Sequence, residues 1–552
     1  MIVADFRMNM KTKKLFYISL IAAAPLMLAS CDDFLDETPD SRTEIDNEVK
    51  AEKILVEAYP RTAFIQVNEL MSDNHDMYME DNPYTTRYYD EVWSWSDIKE
   101  SNNESPERIW ANGYQAIANA NYAIQYAETL GKQSLQLTVN EIKAEALLAR
   151  AYGHFMLANE FCMAYSSQDA DIHLGLPYIE EPITELNPES KRGTLAELYA
   201  KIDHDIQEAL PMVGDSHLAI PKYHFNEQAA YAFAARFYLY YEQWDKALKY
   251  ANLCLGSSPA TILRDYDALA AIGQGSTFYD AKTNQYVNAT EPANLLLATT
   301  RSNPGTVLGN TNTAKKYAHV PYIANHEDMG AANNIWIDGS QSSTSYYWKD
   351  RYGSFSGTNI YVIFYRLPRL FEYTDPVAGI GYSSSVYPVF TTDECLLNRA
   401  EAKILLNDFE GAAVDMNMWM HNILNTNVVL TPELITDFYK EIPYSYEPTD
   451  EDPEGIASTL KKHLHPKFAI DKEGSTQECM LQCLLEFRRL DKMHFGFRWF
   501  DIKRYGIEIP RRVCGANGNP VKIIDWLRID DPRRAIQIPL RVRSGGMEAN
   551  PR

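Results

Sequence analysis

The chain has 552 residues, with 75 Asp and Glu against 52 Lys and Arg, a net charge of −23. That length leaves room for a large core. The acidity argues against a nucleic-acid partner, because phosphates are gripped by clustered Lys and Arg. Seven cysteines are too few for the disulfide framework that small secreted domains need, whereas 36 tyrosines and 9 tryptophans can supply aromatic surface beyond a core.

Residues 11–14 are Lys-Thr-Lys-Lys, followed by an apolar run from Leu15 to Leu28. The run falls short of the ~20 residues a spanning helix needs and has the shape of a secretory signal. It ends Leu28-Ala29-Ser30-Cys31, which resembles a bacterial lipobox. Cys31 is therefore the expected lipidation site; several acyl chains anchor stably where one is marginal. Asp32, Asp33, Asp36 and Glu37 resemble a surface-export signal. The expected division is a signal peptide over 1–30, a lipidated acidic tether over 31–45 and one folded domain over 46–552.

Within that domain, Ala144, Leu148, Ala151, Phe155 and Ala158 recur at helical spacing. Ser105-Pro106 reads as an N-cap followed by proline at the first helical position. Thr194, Thr391 and Ser475 each have Glu three positions on, the pattern of a reciprocal capping box. Segments 229–252 and 394–417 read as two copies of one helix pair, with Trp244 aligned on Phe409, Asp245 on Glu410 and Ala247 on Ala412. They resemble tetratricopeptide pairs, which bury their faces by stacking. A third pair is expected from 107–130 and 141–165. Residues 257–390 are rich in Gly, Ser, Thr, Asn and Tyr, and 360–364 suits a strand; so long an insertion reads as a functional loop system. Cys162, Cys254, Cys395, Cys479, Cys483 and Cys514 read as buried thiols, and His463-x-His465 as loop rather than metal site.

Six stretches in order carry a family resemblance: CDDFLDETP at 31–39, IWANGYQAIANANYAI at 109–124, KAEALLARAYGHFMLANEF at 143–161, GLPYI at 175–179, LLEFRRLDKMHFGFRWFDIKRYG at 484–506 and IQIPLRVRSGGMEANPR at 536–552. The chain resembles the SusD/RagB family of surface lipoproteins. It departs from the family at His494-Phe495-Gly496-Phe497-Arg498, where a Glu-Gly-His-Arg-type run is usual. The resemblance implies a mostly α, SusD-like single domain, with helix pairs on one side and a loop-rich, partly β region on the other. It implies no catalysis and no cofactor. The partners would be a glycan, or in some members a peptide, and a SusC-like TonB-dependent outer-membrane transporter.

Glycans are held by flat aromatic faces flanked by polar groups, on shallow preformed surfaces. Two segments fit that recipe. The first contains Asp73, Asn74, Arg87, Trp93 and Trp95; if Trp93-Ser94-Trp95 is extended, both indoles share one face. The second contains Trp336, Tyr346, Tyr347 and Trp348. For each, the competing reading is packing of the loop onto the frame. Arg488, Arg489, Arg498, Asp501 and Arg504 read as a structural ion-pair network. A surface glycoside hydrolase is the enzyme alternative and would need two carboxylates across the scissile bond. A lipoprotein adaptor that binds only protein is another.

Overall fold

The computed structural model describes residues 48–131, 137–182, 191–216, 218–302, 304–308, 315–355 and 360–552. The expected signal peptide, Cys31 and acidic tether lie outside the described residues. The frame is built of helix pairs. Helices α1 (Ile65–Met71) and α2 (Arg87–Trp93) are short. They precede the long pair α3 (Pro106–Gly131) and α4 (Leu137–Phe161). A Cβ on Gly113 would come within 2.9 Å of Leu157, and one on Gly153 within 2.8 Å of Ile117. These reciprocal contacts set α3 and α4 antiparallel, closer than larger residues would permit. Helix α5 (Leu195–Ala209) packs on α4, tied by Arg150 to Asp205 through two 2.7 Å bonds.

The two sequence copies form matching hairpins. The first joins α6 (Glu227–Tyr240) to α7 (Trp244–Leu255), the second α8 (Thr392–Leu405) to α9 (Phe409–Ile423). Trp244 and Phe409 open the second helix of their hairpins. Two positions before each, the chain turns through a left-handed residue, Glu242 at φ 58° and Asn407 at φ 65°. Ala247 and Ala412 are both buried. Helix α7 packs on α8, which in turn packs on α10 (Thr476–Asp491), and α11 (Phe497–Arg504) follows. Capping is reciprocal only at Thr194 and Glu197. Thr391 and Ser475 accept from the Glu394 and Glu478 amides as expected, but the carboxylates turn elsewhere: Glu394 to Arg236 and Glu478 to the Gly474 amide.

Among the described residues, three small sheets cover the other side. Strand β1 (Asp76–Tyr78) lies between β3 (Tyr317–Ala318) and β8 (Ile509–Cys514), with β9 (Pro520–Leu527) outermost. The β1–β8 pairing is parallel, Met77 on Val513. One sheet thus joins the start of the domain, the insertion and the C-terminal region. Strands β2 (Asn294–Thr300), β7 (Ile380–Thr391) and β6 (Leu370–Asp375) form an antiparallel sheet. A hairpin of β4 (Gly353–Phe355) and β5 (Tyr361–Ile363) fills most of the expected 360–364 strand. The six described cysteines are all buried and unpaired.

The signature cluster is a buried ion-pair network. Arg488 pairs with Glu401 and, at 3.1 Å, with Asp501; Arg504 reaches Glu401 at 2.9 Å, and the Tyr505 hydroxyl donates to the same carboxylate at 2.6 Å. Every charge there has a partner, which is the condition for burying it.

Candidate ligand pocket

The structure corrects the tryptophan platform. Trp93 closes α2, and Trp95 is left-handed at φ 55°, so the two indoles do not alternate along a strand. They are 1% and 3% exposed. Trp93 Nε1 donates to the His75 carbonyl and Trp95 Nε1 to the Met71 carbonyl, both at 2.9 Å. The Arg511 guanidinium lies 3.7 Å from the Trp95 ring centroid. Buried indoles with satisfied N–H groups are packing elements. Trp336, Tyr347 and Trp348 are likewise buried: Trp348 Nε1 donates to the Met329 carbonyl at 2.9 Å, Trp336 meets Trp348 edge-on at 6.0 Å, and the Tyr347 hydroxyl donates to Asp338 at 2.9 Å. Asp73 and Asn74 are buried too, Asp73 against Arg498 and Asn74 against Arg489 and Glu69. None of these seven can face a solvent-borne ligand. Arg87 and Tyr346 stay exposed, Arg87 bound to Glu91 at 2.8 Å and Tyr346 beneath Arg351 at 4.1 Å. Neither lines the pocket described next.

A cavity of about 380 Å³ opens beside β3. Among the described residues it is lined by Tyr84, Thr85, Thr86 and Tyr89, by Thr306 to Leu308 and Tyr361, and by Lys315, Lys316 and Tyr317. His75, His319 and His494 converge on its floor, their ring centroids 5.7–6.5 Å apart. Local sequence explains the placement. Thr86 caps α2 by accepting from the Tyr89 amide, which starts the helix that presents Tyr89. The Tyr317 hydroxyl donates to Asp90 at 2.5 Å, and its ring stacks on Trp93 at 4.8 Å. Trp93 therefore supports the pocket wall from behind. His494 reaches the floor in a left-handed conformation, φ 69°, a strain of ~1–3 kcal/mol of the kind that gathers at functional sites.

The floor is polar, and two of its rings are held neutral. His75 Nδ1 bonds the Glu69 carbonyl at 3.2 Å, so Nδ1 carries the proton and Nε2 is left as an acceptor. Burial, reinforced by the neighbouring His319, holds His75 and His494 well below the usual imidazole range. His319 lines the pocket with neither ring nitrogen in a hydrogen bond, although Nε2 lies 3.2 Å from Asp328 Oδ2. Burial lowers Lys315 to about 7. Among the described residues no His, Cys, Asp and Glu cluster could hold a metal ion, and no helix is long and apolar enough to cross a membrane.

The sequence reading missed His75, Tyr84, Tyr89, Lys315, Tyr317, His319, Tyr361 and His494. Two signals were present: His75 adjoins Asp73-Asn74, and His494 opens the run that departs from the family pattern.

Residues 33–239 match the SusD-like family described as starch-binding and associating with the outer membrane. Several crystal structures share the fold. A SusD superfamily protein from Bacteroides thetaiotaomicron VPI-5482 aligns with TM-score 0.58 at 17% identity, over 91% of this chain and 99% of that one. A SusD-like carbohydrate binding protein from Bacteroides vulgatus ATCC 8482 gives 0.56 at 17%, over 90% and 96%. A SusD superfamily protein from the same organism gives 0.55 at 18%, over 91% and 97%. No curated protein matches the chain. The architecture is the mostly α SusD fold, helix pairs on one side and a partly β, loop-rich region on the other. The chain thus has the SusD fold, and its N-terminal part, residues 33–239, matches the SusD-like family.

Proposed function

We propose that this chain is a cell-surface lipoprotein, anchored through Cys31, that captures a glycan in the His75–His319–His494 pocket. It then delivers the glycan to a SusC-like TonB-dependent transporter in the outer membrane. The pocket carries the reading. Tyrosine walls suit the C–H faces of sugar rings, and neutral imidazoles can exchange hydrogen bonds with hydroxyls without the desolvation cost of a full charge. The family's description as starch-binding and outer-membrane-associated supports it. We read its role as binding rather than catalysis: glycoside hydrolysis uses two carboxylates, and the described residues that line this pocket include no Asp or Glu.

The test is affinity electrophoresis of residues 32–552 through gels containing single polysaccharides, with the same mixtures assayed for new reducing ends. Retardation that His494→Ala or Tyr84→Ala abolishes, without new reducing ends, is the expected result. New reducing ends would overturn the binding-only role. Retardation unchanged in both variants would move the site elsewhere.

A further inference from the structure

A second cavity lies at the opposite edge of the sheet that borders the histidine pocket. Tyr317 and Ala318 of β3 line the first, and Trp526 of β9 lines the second. These are the two outer strands of one four-stranded sheet, ~14 Å apart at ~4.8 Å per strand. The second cavity measures about 140 Å³ and is bordered by Tyr446, Glu447, His463, Glu508, Trp526 and Arg528. Seven of the nine tryptophans are buried, and Trp526 is not. Its ring and that of Tyr446 stand at 89° with centroids 5.6 Å apart, so the two make a corner. Tyr446 is held there in a left-handed conformation, φ 66°. Gly455 approaches so closely that a Cβ on it would lie 2.6 Å from the Tyr446 carbonyl oxygen. The buried Lys462 ammonium donates to the Tyr446 hydroxyl at 3.3 Å and fixes the ring.

The polar groups at this corner are matched. Arg528 lies over one face of Trp526, 4.2 Å from its centroid, and reaches Glu508 at 3.1 Å. His463 meets Glu473 at 2.7 Å and Glu447 at 3.3 Å, and Lys462 meets Glu327 at 2.8 Å. Each of these basic groups already faces a carboxylate, so nothing here recruits an anion. The loop that supplies Tyr446 and Glu447 continues through the exposed Asp450, Glu451 and Glu454, which repel one. Hydroxyl groups suit such a setting, because each can donate to a carboxylate oxygen and accept from a guanidinium. The ring corner suits the C–H face of a sugar.

We propose that the Trp526–Tyr446 corner is a second saccharide subsite, one for uncharged sugar units, that holds the same glycan chain as the histidine pocket. The inference rests on the glycan-binding reading above and adds a contact to it. Two weak contacts on one polymer reinforce each other, since the second becomes intramolecular once the first is made. The sheet fixes their spacing, so a chain long enough to span it is favoured over a short one.

The experiment compares variants at the two cavities. Residues 32–552 are run through gels containing starch, dextran, galactomannan or polygalacturonate, as wild type and as Trp526→Ala, Trp526→Phe, Arg528→Ala, Tyr84→Ala and His494→Ala. The expected result is retardation by a neutral polymer, weakened about ten-fold in Trp526→Ala and largely kept in Trp526→Phe, which retains a flat ring. Arg528 is exposed, so Arg528→Ala should fold normally. It should weaken retardation by about three-fold, which keeps the test open if thermal melts show that Trp526→Ala is unstable. Wild-type retardation of both Trp526→Ala and Arg528→Ala would overturn the second subsite and leave the pocket reading standing. Retardation lost in Trp526→Ala but unchanged in Tyr84→Ala and His494→Ala would overturn the histidine pocket and leave the corner as the site. Retardation by polygalacturonate alone would overturn the uncharged ligand. No retardation by any of the four polymers would overturn both readings.

Discussion

Arg498 holds Asp73 through two parallel hydrogen bonds, Nε to Oδ1 at 2.8 Å and Nη2 to Oδ2 at 2.9 Å, with both side chains buried. Arg489 approaches the same carboxylate at 3.8 Å and continues to Glu327 at 3.4 Å. Glu327 in turn receives Arg512 at 2.6 Å and Lys462 at 2.8 Å. The network fixes the segment ahead of the pocket to the C-terminal helices. Asp73→Ala would leave two guanidinium groups buried beside a missing anion. The expected loss is ~3–5 kcal/mol, read as a fall in the urea midpoint; a loss below 1 kcal/mol would show that the clamp is dispensable.

Acid should weaken the domain through the same groups. Burial opposes the Asp73 charge, but Arg489 and Arg498 outweigh it and hold the carboxylate well below its ordinary range. Arg236 and Lys492 likewise bring Glu394 to about 2, and Arg488 and Arg504 bring Glu401 to about 2, each against burial. A carboxylate with a depressed folded pKa stabilises above its unfolded pKa, ~4, and loses that contribution as pH falls through the folded value. Unfolding free energy should therefore drop between about pH 4 and pH 2. The slope of that drop should be shallower in Glu401→Gln, which chemical denaturation across the range can resolve.

Glu486 should behave in the opposite sense. Burial raises it to about 7, against hydrogen bonds from Tyr439 and Asn334. Its raised folded pKa favours the protonated fold, so stability declines as pH climbs from ~4.5 towards 7. Relative to wild type, Glu486→Gln should gain stability over that interval and level off above it. A constant difference across the whole range would show that Glu486 does not titrate there.

Packing and ligand contact separate cleanly at two aromatics. Trp93→Ala removes a buried ring that backs Tyr317 and should cost ~3–5 kcal/mol. Tyr84 is 56% exposed at the pocket mouth. Tyr84→Ala should shift stability by no more than ~0.5 kcal/mol while weakening glycan retardation. Thermal melts and electrophoresis on the same two variants decide it. A fully stable Trp93→Ala protein would restore the indole to the list of ligand contacts.

The hairpin turns make a backbone prediction. Asn407 is left-handed, a conformation that β-branched residues resist. Asn407→Val should destabilise by ~1–2 kcal/mol, and Asn407→Gly should stay within ~0.5 kcal/mol of wild type despite losing a 3.3 Å contact from Gln477. Equal melting temperatures for the two variants would mean that the turn is not under conformational control.

The helix pairs were legible because helical period, small residues and the aligned Trp244 and Phe409 are local signals. The ion-pair role of Arg488, Arg489, Arg498, Asp501 and Arg504 was legible because one helical signature held several charges that needed partners. The pocket was not legible. A tryptophan among polar loop residues looks the same in sequence whether its N–H meets a ligand or a carbonyl 18 residues back, as Trp93 meets His75. The left-handed turn at Trp95 defeats any period-two reading. The floor assembles His75, His319 and His494 from three distant segments, and no spacing rule joins positions that far apart.

The parallel pairing of Met77 with Val513 has a consequence for how the molecule comes into being. A chain that emerges N-terminus first can form its helix hairpins early, since their contacts are local. It cannot complete the four-stranded sheet, seat Asp73 on Arg498 or floor the pocket with His494 until nearly the whole polypeptide is available. Such long-range closure is slow and leaves apolar segments uncovered meanwhile. A chain delivered across a membrane by threading would thus remain unlocked throughout its passage, and would close its pocket as the last act of folding, on the side where its C-terminal residues arrive.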